Sequence, residues 1–330
     1  MILKPDPDGS FTVSFLLIPE YAMVALQSAI EPMRVANRFA KREVFRWQLL
    51  SQNGEPVNAS NKLALQQHAS IDEIKEAKNI FICSSFNPEK YICEQTINWL
   101  KNLHRKGSII GAMDTGCYLL AAANLLKDHC VTLHWEAVPA FSEDNPNLKL
   151  SNGLFEIDRN LITCAGGTAA IDMMLHIIQA ELSNELAVSV CEQFIKSRIR
   201  QKSDAQRINS SVRFNIHHPR LLKVLGQMEE TLDNPLSTKE LADHAYISVR
   251  QLERLFSRHL GHSPSHYYLR LRLERARQLL RESHLSIQEI SVACGFNSGA
   301  HFARSYRKLF DLSPNQDRSL SHPKTDGEKP

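Results

Sequence analysis

The last third of the chain contains the stretch SVRQLERLFSRHLGHSP at residues 248–264, and a second stretch, SGAHFARSYRKLFDLSP, follows at residues 298–314. The two align at a constant offset of fifty residues, so that Arg254 matches Arg304 and both stretches close on Ser-Pro. An internal repeat of this kind indicates one structural unit used twice. In each copy a short helix leads through a turn into a longer helix that opens at a serine, a favoured N-cap residue.

Helical phase gives the longer helix of each copy one apolar side and one basic side. At about 100° per residue, the apolar sides are formed by Leu252, Leu255 and Phe256 in the first copy and by Phe302, Tyr306 and Leu309 in the second. The opposite sides carry Arg250, Glu253, Arg254 and Ser257 in the first copy and Ala300, Ala303, Arg304 and Arg307 in the second, with His301 and Lys308 at the flank.

Arginine can bond guanine with two hydrogen bonds, and arginine or lysine can neutralise phosphate. The pattern predicts two helix-turn-helix units that enter the major groove of double-stranded DNA. The alternative, a helical bundle with a solvated basic face, is disfavoured by the duplication.

The segment between the two copies sets their separation. Residues 264–283 form a helical run of twenty residues, which at about 1.5 Å per residue spans roughly 30 Å. Successive major-groove faces lie about 34 Å apart. One chain can therefore reach adjacent turns on one face of a duplex.

Charge is spread unevenly along the chain. Residues 200–320 hold 19 Lys and Arg against 12 Asp and Glu, although the net charge of the whole chain is only +3. A basic last third beside a mildly acidic remainder favours a polyanion as the partner of that third.

Bulk composition excludes several classes of protein. Hydrophobic residues make up 43% and charged residues 23% of the 330 residues, as in a water-soluble globular protein. No apolar run approaches the roughly 20 residues of a membrane span, and the N-terminus lacks the apolar core of a signal peptide. Seven scattered cysteines without a Cys-x-x-Cys pair favour neither a disulfide framework nor a zinc site. We therefore predict a cytoplasmic protein that needs no membrane, metal or cofactor.

The first 180 residues alternate short apolar runs with helical patterns. Phe11–Ile18, Phe45–Ser51 and Asn79–Cys83 are typical of buried strands, and such alternation predicts a flavodoxin-like α/β domain, a mostly parallel sheet with helices on both faces. The strand signals stop near Ala187. We predict this domain over residues 1–190, a linker over 191–218, an all-α domain with two helix-turn-helix motifs over 219–317, and a disordered tail over 318–330.

The helical third resembles the AraC/XylS regulator domain. The resemblance is carried by ISVRQLERLF (247–256), SPSHYYLRLRLERAR (263–277) and IQEISVACGFNSGAHFARSYR (287–307). It implies base-facing roles for Arg250, Glu253, Arg254, Ala300, His301, Ala303 and Arg304, and phosphate contacts for Ser248, Arg258, Ser298 and Arg307. Glu253 can instead orient Arg250 or accept from a cytosine. The resemblance also implies activation by recruiting RNA polymerase, although the sign of regulation stays open.

The first domain resembles the ThiJ/PfpI superfamily, whose fold is that of class I glutamine amidotransferases. The matching stretches are IIGAMDTGCYLLA (109–121), VTLHWE (131–136) and TCAGGTAAID (163–172). Together with the helical third, they resemble the GlxA group of regulators. This resemblance implies a domain that senses a metabolite and forms a homodimer.

The ThiJ/PfpI fold places a nucleophilic cysteine in the tight turn between a strand and a helix. In this chain the matching residue is Asp114, and Cys117 comes three residues later. His134 follows a short predicted strand, but no ordered nucleophile and base accompany it. We therefore expect no enzyme; an amidase or hydrolase tethered to DNA is the alternative.

Ligands of open α/β sheets settle at the carboxyl ends of the strands. Pro19-Glu20-Tyr21, Ser84-Ser85-Phe86, Asp114-Thr115-Gly116 and His134-Trp135 all follow predicted strands. From these we predict the ligand-binding residues Glu20, Tyr21, Phe86, Asp114, Thr115, His134 and Trp135. Acidic and aromatic groups together favour a small cation, such as an amino acid or a quaternary amine like betaine or carnitine. The resemblance to the GlxA group, regulators of amino-acid and methylamine catabolism, points the same way. The alternative is that these are packing and loop residues.

Overall fold

The computed structural model describes residues 1–207, 216, 218–283 and 285–321. The chain divides after Gln206 into two compact units. Within the described residues, no helix is long and apolar enough to cross a membrane.

The first unit is built on a seven-stranded sheet in the order β10-β11-β7-β6-β1-β2-β5. All neighbouring pairs are parallel except β10 with β11. Two further pairs, β3–β4 and β8–β9, lie outside the sheet. The strands are β1 Phe11–Leu17, β2 Phe45–Ser51, β3 Val57–Asn58, β4 Ala64–Leu65, β5 Ala69–Ser70, β6 Asn79–Cys83, β7 Ile109–Met113, β8 Cys130–Val131, β9 Lys149–Leu150, β10 Phe155–Asp158 and β11 Leu161–Cys164.

Helices cover both faces of this sheet, as the sequence predicts. They are α1 Met23–Ala40, α2 Glu94–Arg105, α3 Cys117–Ala122, α4 Val138–Asp144, α5 Ala169–Glu181 and α6 Asn184–Gln193, with a 3-10 turn at Pro88–Tyr91. Alternation along β1 sends Phe15 and Leu17 into one apolar cluster and Leu16 and Ile18 into the other. The first cluster includes side chains of α1, α5 and α6, and the second includes side chains of α2, α3 and α4. Each fully buried side chain of this size contributes about 1.5–3 kcal/mol.

The second unit is helical and contains both copies of the repeat. Its helices are α7 Pro219–Glu230, α8 Thr238–His244, α9 Val249–Leu260, α10 Pro264–Glu282, α11 Ile287–Ala293, α12 Gly299–Phe310 and α13 Pro314–Ser321. Ser237, Ser248 and Ser286 close capping boxes at α8, α9 and α11. Such caps stabilise a helix start by about 1 kcal/mol, which explains why the serines mark the helix boundaries in the sequence.

Two of the predicted boundaries are wrong. The α/β unit continues past residue 190 to Gln206, because side chains of the predicted linker bind to it: Lys196 and Arg200 both pair with the buried Asp172. The predicted tail starts too early, since helix α13 runs to Ser321 and Arg318 donates to the Leu285 carbonyl oxygen at 2.6 Å. Residues 208–215 and 217 of the predicted linker and 322–330 of the predicted tail lie outside the described residues.

Candidate nucleic-acid interface and ligand crevice

The longer helix of each repeat buries its apolar side and exposes the basic one. Leu252 and Phe256 of α9 and Phe302 and Tyr306 of α12 are fully buried. The seven predicted base-facing residues are all exposed: Arg250, Glu253, Arg254, Ala300, His301, Ala303 and Arg304. The basic side of each helix is therefore accessible to a binding partner.

The predicted phosphate contacts fall into two kinds. Arg258 and Arg307 are exposed in the last turns of α9 and α12. Ser248 and Ser298 are N-caps whose hydroxyl oxygens accept the backbone N–H of Gln251 and His301. The Ser298 hydroxyl keeps its own hydrogen and can donate it to a phosphate oxygen, whereas the Ser248 hydroxyl donates to Oε1 of Gln251 at 3.3 Å.

The structure separates outward-facing arginines from structural ones. Over the described part of the chain, Arg250, Arg254 and Arg304 make no hydrogen bond or ion pair with another residue. Arg277 and Arg281 of α10, in contrast, both bind the buried carboxylate of Asp317, at 2.8 and 2.9 Å. The unpaired guanidinium groups are those that a nucleic acid can engage.

Two side chains of helix α10, one helical turn apart, form hydrogen bonds next to the first repeat and within the second. The Tyr268 hydroxyl donates to the Thr231 carbonyl oxygen (2.7 Å), next to the first repeat. Arg272 donates to the carbonyl oxygens of Cys294 (2.7 Å) and Gly295 in the second repeat, and its guanidinium lies 4.1 Å from the centre of the Phe296 ring. These contacts attach α10 to the end of α7 and to the turn between α11 and α12.

In the first unit, the strand ends meet at one edge of the sheet. The Ile18 N–H donates to the Cys83 carbonyl (3.0 Å), and the Asp114 N–H donates to the Cys164 carbonyl (3.0 Å). The His134 N–H in turn donates to the carbonyl of Asp114 at 3.3 Å. We call this edge, between the loops that follow β1, β6, β7 and β11 and the loop at His134, the crevice.

Several residues around the crevice adopt left-handed backbone conformations. Glu20, Asn87 and Asp114 have φ of 65°, 49° and 60°, and Asn87 donates to the Glu20 carboxylate at 3.0 Å. Gly166 has φ of 83°, and a Cβ there would lie 2.8 Å from Oδ2 of Asp114. Strained backbone of this kind concentrates at functional sites.

Asp114 is the buried charge of the crevice. Its side chain is 8% exposed, and burial, together with the nearby charge of Glu136, raises its pKa to about 7. Burial also lowers the pKa of His134, although Glu136, 3.6 Å away, acts in the opposite direction. Near neutral pH, a small change in pH therefore shifts the Asp114 carboxyl between its neutral and its ionised form.

The predicted ligand residues do not all reach the crevice surface. Phe86 is 60% and Trp135 37% exposed, whereas Tyr21 is fully buried in the core. The Thr115 hydroxyl donates to the Ser85 carbonyl at 2.6 Å, which ties the turn to the loop after β6.

Ser84 is an additional candidate that we did not predict as a ligand residue. Its side chain is 1% exposed and its hydroxyl makes no hydrogen bond within the described residues. A buried polar group without a partner requires an explanation, such as a ligand. Its position directly after β6 was the available signal, but nothing in the sequence distinguishes it from Ser85.

The geometry does not support a nucleophile. Cys117 is fully buried, its thiol faces the Thr132 carbonyl at 3.4 Å, and burial raises its pKa to about 12. Across the described residues, no three His, Cys, Asp or Glu side chains are placed to hold a metal ion.

Comparison with known proteins identifies the family of each half of the chain. The model of the DJ-1/PfpI family matches residues 17–180, and that of the helix-turn-helix domain matches residues 241–319. The HTH-type transcriptional regulator CdhR of Pseudomonas aeruginosa is 44% identical, over 93% of this chain and 91% of its own length. The HTH-type transcriptional regulator GlxA of Rhizobium meliloti is 34% identical, over 97% and 99%. The crystal structure of a ThiJ/PfpI family protein from Pseudomonas syringae superposes with a TM-score of 0.51 at 17% identity, over 73% of this chain and 95% of its own, and shares the fold.

Proposed function

The chain belongs to the HTH-type transcriptional regulators that join a DJ-1/PfpI domain to an AraC-type helix-turn-helix domain, and we propose that a small cation bound in its crevice controls its activity. It is a DNA-binding regulator of transcription, like its relatives. The buried Cys117 agrees with that assignment.

On the DNA side, we propose that α9 and α12 enter neighbouring major grooves. Arg250, Glu253 and Arg254 on the first helix and His301 and Arg304 on the second contact base edges, while Ala300 and Ala303 allow close approach or touch thymine methyl groups. Ser248, Arg258, Ser298 and Arg307 bind phosphates. The exposure of these side chains supports the proposal.

On the ligand side, the observation that carries the proposal is Asp114, a buried carboxyl held on strained backbone. A cation would compensate the cost of ionising a buried carboxyl. Glu20 and Glu136 add negative charge, and the exposed rings of Phe86 and Trp135 can bind a cation through their faces. The unpartnered Ser84 hydroxyl can bind a polar group of the ligand. Amino acids and quaternary amines combine these features.

Thermal unfolding of the full chain tests this proposal. Choline, glycine betaine and L-arginine are compared with 3,3-dimethylbutan-1-ol, which has the shape of choline without its charge. A cation at about a hundred times its Kd should stabilise the chain by roughly 2.7 kcal/mol. The Asp114→Asn variant should lose this response, and the Arg34→Ala variant, altered on the exposed side of α1, should keep it. Equal shifts by choline and its neutral analogue would refute the cation site.

We further propose that the chain acts in the cytoplasm as a homodimer and activates promoters by recruiting RNA polymerase. Membership of the family supports these three points. Sedimentation of the full chain at micromolar concentration tests the dimer, and a monomer there would exclude it.

A further inference from the structure

The segment between α6 and the second unit is bound to the α/β unit at two places. We call residues 196–206 the clasp. At the first place, Asp172 of α5, which is fully buried, accepts the backbone N–H of Arg200 (2.8 Å), its Nε–H (2.8 Å) and Nζ of Lys196 (2.9 Å). A buried carboxylate needs such paired donors, so Asp172 strongly favours an engaged clasp.

The second place is the end of the clasp. Nε2 of Gln206 donates to the hydroxyl of Thr132 (3.1 Å) and to the carbonyls of Leu133 (3.0 Å) and Gly153 (2.9 Å). A Cβ on Gly153 would overlap the Lys202 carbonyl oxygen, so glycine lets the clasp lie against this loop. The two N–H bonds of this amide, shared among three acceptors, thus bind the last residue of the unit to the loops at Leu133 and Gly153.

Both places adjoin loops that touch Asp114. Arg200 also donates to the Thr168 hydroxyl at 3.1 Å, and Thr168 ends the loop in which Gly166 packs against Asp114. Leu133 directly precedes His134, whose N–H donates to the Asp114 carbonyl. A shift in either loop therefore alters a bond that holds the clasp.

We propose that the clasp transmits occupancy of the crevice to the DNA-binding unit, which begins at Arg207. An effector that displaces either loop releases the clasp, and the release changes how freely the second unit meets DNA. This inference rests on the proposed function, since it needs a ligand at the crevice. Allosteric coupling of this kind typically changes affinity about 5- to 150-fold.

Hydrogen exchange of the full chain tests the clasp without any ligand. Gln206→Ala is compared with the wild type and with Arg198→Gln, which removes only the exposed pair of Arg198 with Asp204 inside the clasp. Release by Gln206→Ala should speed exchange in the clasp and in the loops at 133–136 and 166–168 by about tenfold or more, with strand β1 unchanged as a control for folding. Arg198→Gln should leave both loops as in the wild type. Unchanged exchange in both loops of Gln206→Ala would overturn the proposal.

A second experiment measures the coupling itself. The probe is choline, and the DNA is a duplex selected by the wild-type chain from a random pool. Choline should change the Kd for this duplex about fivefold or more in the wild type and less than twofold in Gln206→Ala, which still binds choline. An equal change in both chains would overturn the clasp proposal. Absence of choline binding to the wild type would instead refute choline as an effector, and the exchange result would still decide the clasp.

Discussion

At the residue scale, the pKa of Asp114 affects both the stability of the chain and the proposed ligand binding. Its pKa of about 7 lies above the ordinary value of 3.8, chiefly because the carboxyl is buried. The folded chain therefore binds this proton more tightly than the unfolded chain does, and ionisation of Asp114 costs stability as pH rises from about 4 to about 7.

Asp114→Asn should consequently flatten part of this dependence. Asparagine has the same shape and tolerates a positive φ, but cannot ionise. We expect the variant to gain Tm over the wild type at about pH 8 and little or none at about pH 4. Melting curves across that range check this, and parallel Tm profiles for the two chains would contradict it.

The same proton governs ligand binding in the opposite direction. A cation prefers the ionised carboxylate, so its affinity for the wild type should rise as pH increases through about 7 and level off above it. Titration calorimetry with choline in two buffers of different ionisation enthalpy should show proton release on binding. No release near neutral pH would remove Asp114 from the ligand contacts.

Gly295 and Gly261 of the second unit have the same backbone conformation but different surroundings. Both have positive φ, of 71° and 72°. A Cβ at Gly295 would lie 2.8 Å from the carbonyl oxygens of Leu232 and Asp233, whereas no atom lies within 4 Å at Gly261. Gly261→Ala should cost about 1 kcal/mol of unfolding free energy for the left-handed conformation, and Gly295→Ala clearly more. Denaturant unfolding measures both, and equal losses would contradict the close contact.

Single side chains were the least predictable feature. Helical phase placed Arg254 and Arg304 on outward faces, and both are exposed. It could not show that Arg272 turns inward to carbonyl groups 22 and 23 residues away, because that contact depends on how three helices pack. The burial of Tyr21 was unpredictable for a similar reason: its place after β1 indicates the crevice, and only the packed structure shows that its ring belongs to the core.

At the element scale, α10 is the part that holds the two repeats in register. Arg272→Ala removes two hydrogen bonds and a cation–π contact. We expect a loss of about 2–3 kcal/mol in unfolding free energy and weaker binding of DNA that spans both repeats. Arg270→Ala on the same helix removes only the exposed pair with Glu274 and should cost less than about 0.5 kcal/mol. Similar losses in both variants would show that Arg272 does not join the repeats.

Elements with a strong period were predictable, and most of the short or polar ones were not. The buried strands β1, β2 and β6 begin and end close to the residues that alternation indicates. Strand β8 overlaps the short strand predicted before His134, whereas the two-residue strands β3, β4 and β9 are too short to show a period. The sequence of α13 is polar and does not indicate a helix. The helix is held by its buried Asp317, which accepts hydrogen bonds from Arg277 and Arg281 of α10 and from Tyr306 of α12.

At the scale of the whole molecule, the proposed ligand site and the proposed DNA contacts lie in different units of the chain. The acidic residues at the crevice lie in the first unit, and the outward-facing arginines lie in the second. The sequence revealed this division through its charge distribution and its repeat. The sequence could not locate the boundary between the two units, because the charged residues of the clasp are typical of a solvated linker. Only the structure shows that Asp172 binds Lys196 and Arg200 of this segment.

An anisotropy titration of the full chain against its selected duplex, at several salt concentrations, tests the central claim most directly. We predict that Arg254→Ala and Arg304→Ala each weaken binding to this duplex by about 1–3 kcal/mol and reduce its preference over a scrambled duplex. Arg307→Ala should weaken both duplexes alike and lower the salt slope by about one. Arg34→Ala should match the wild type throughout. Unchanged affinity and preference in the first two variants would contradict DNA recognition by the two repeated helices.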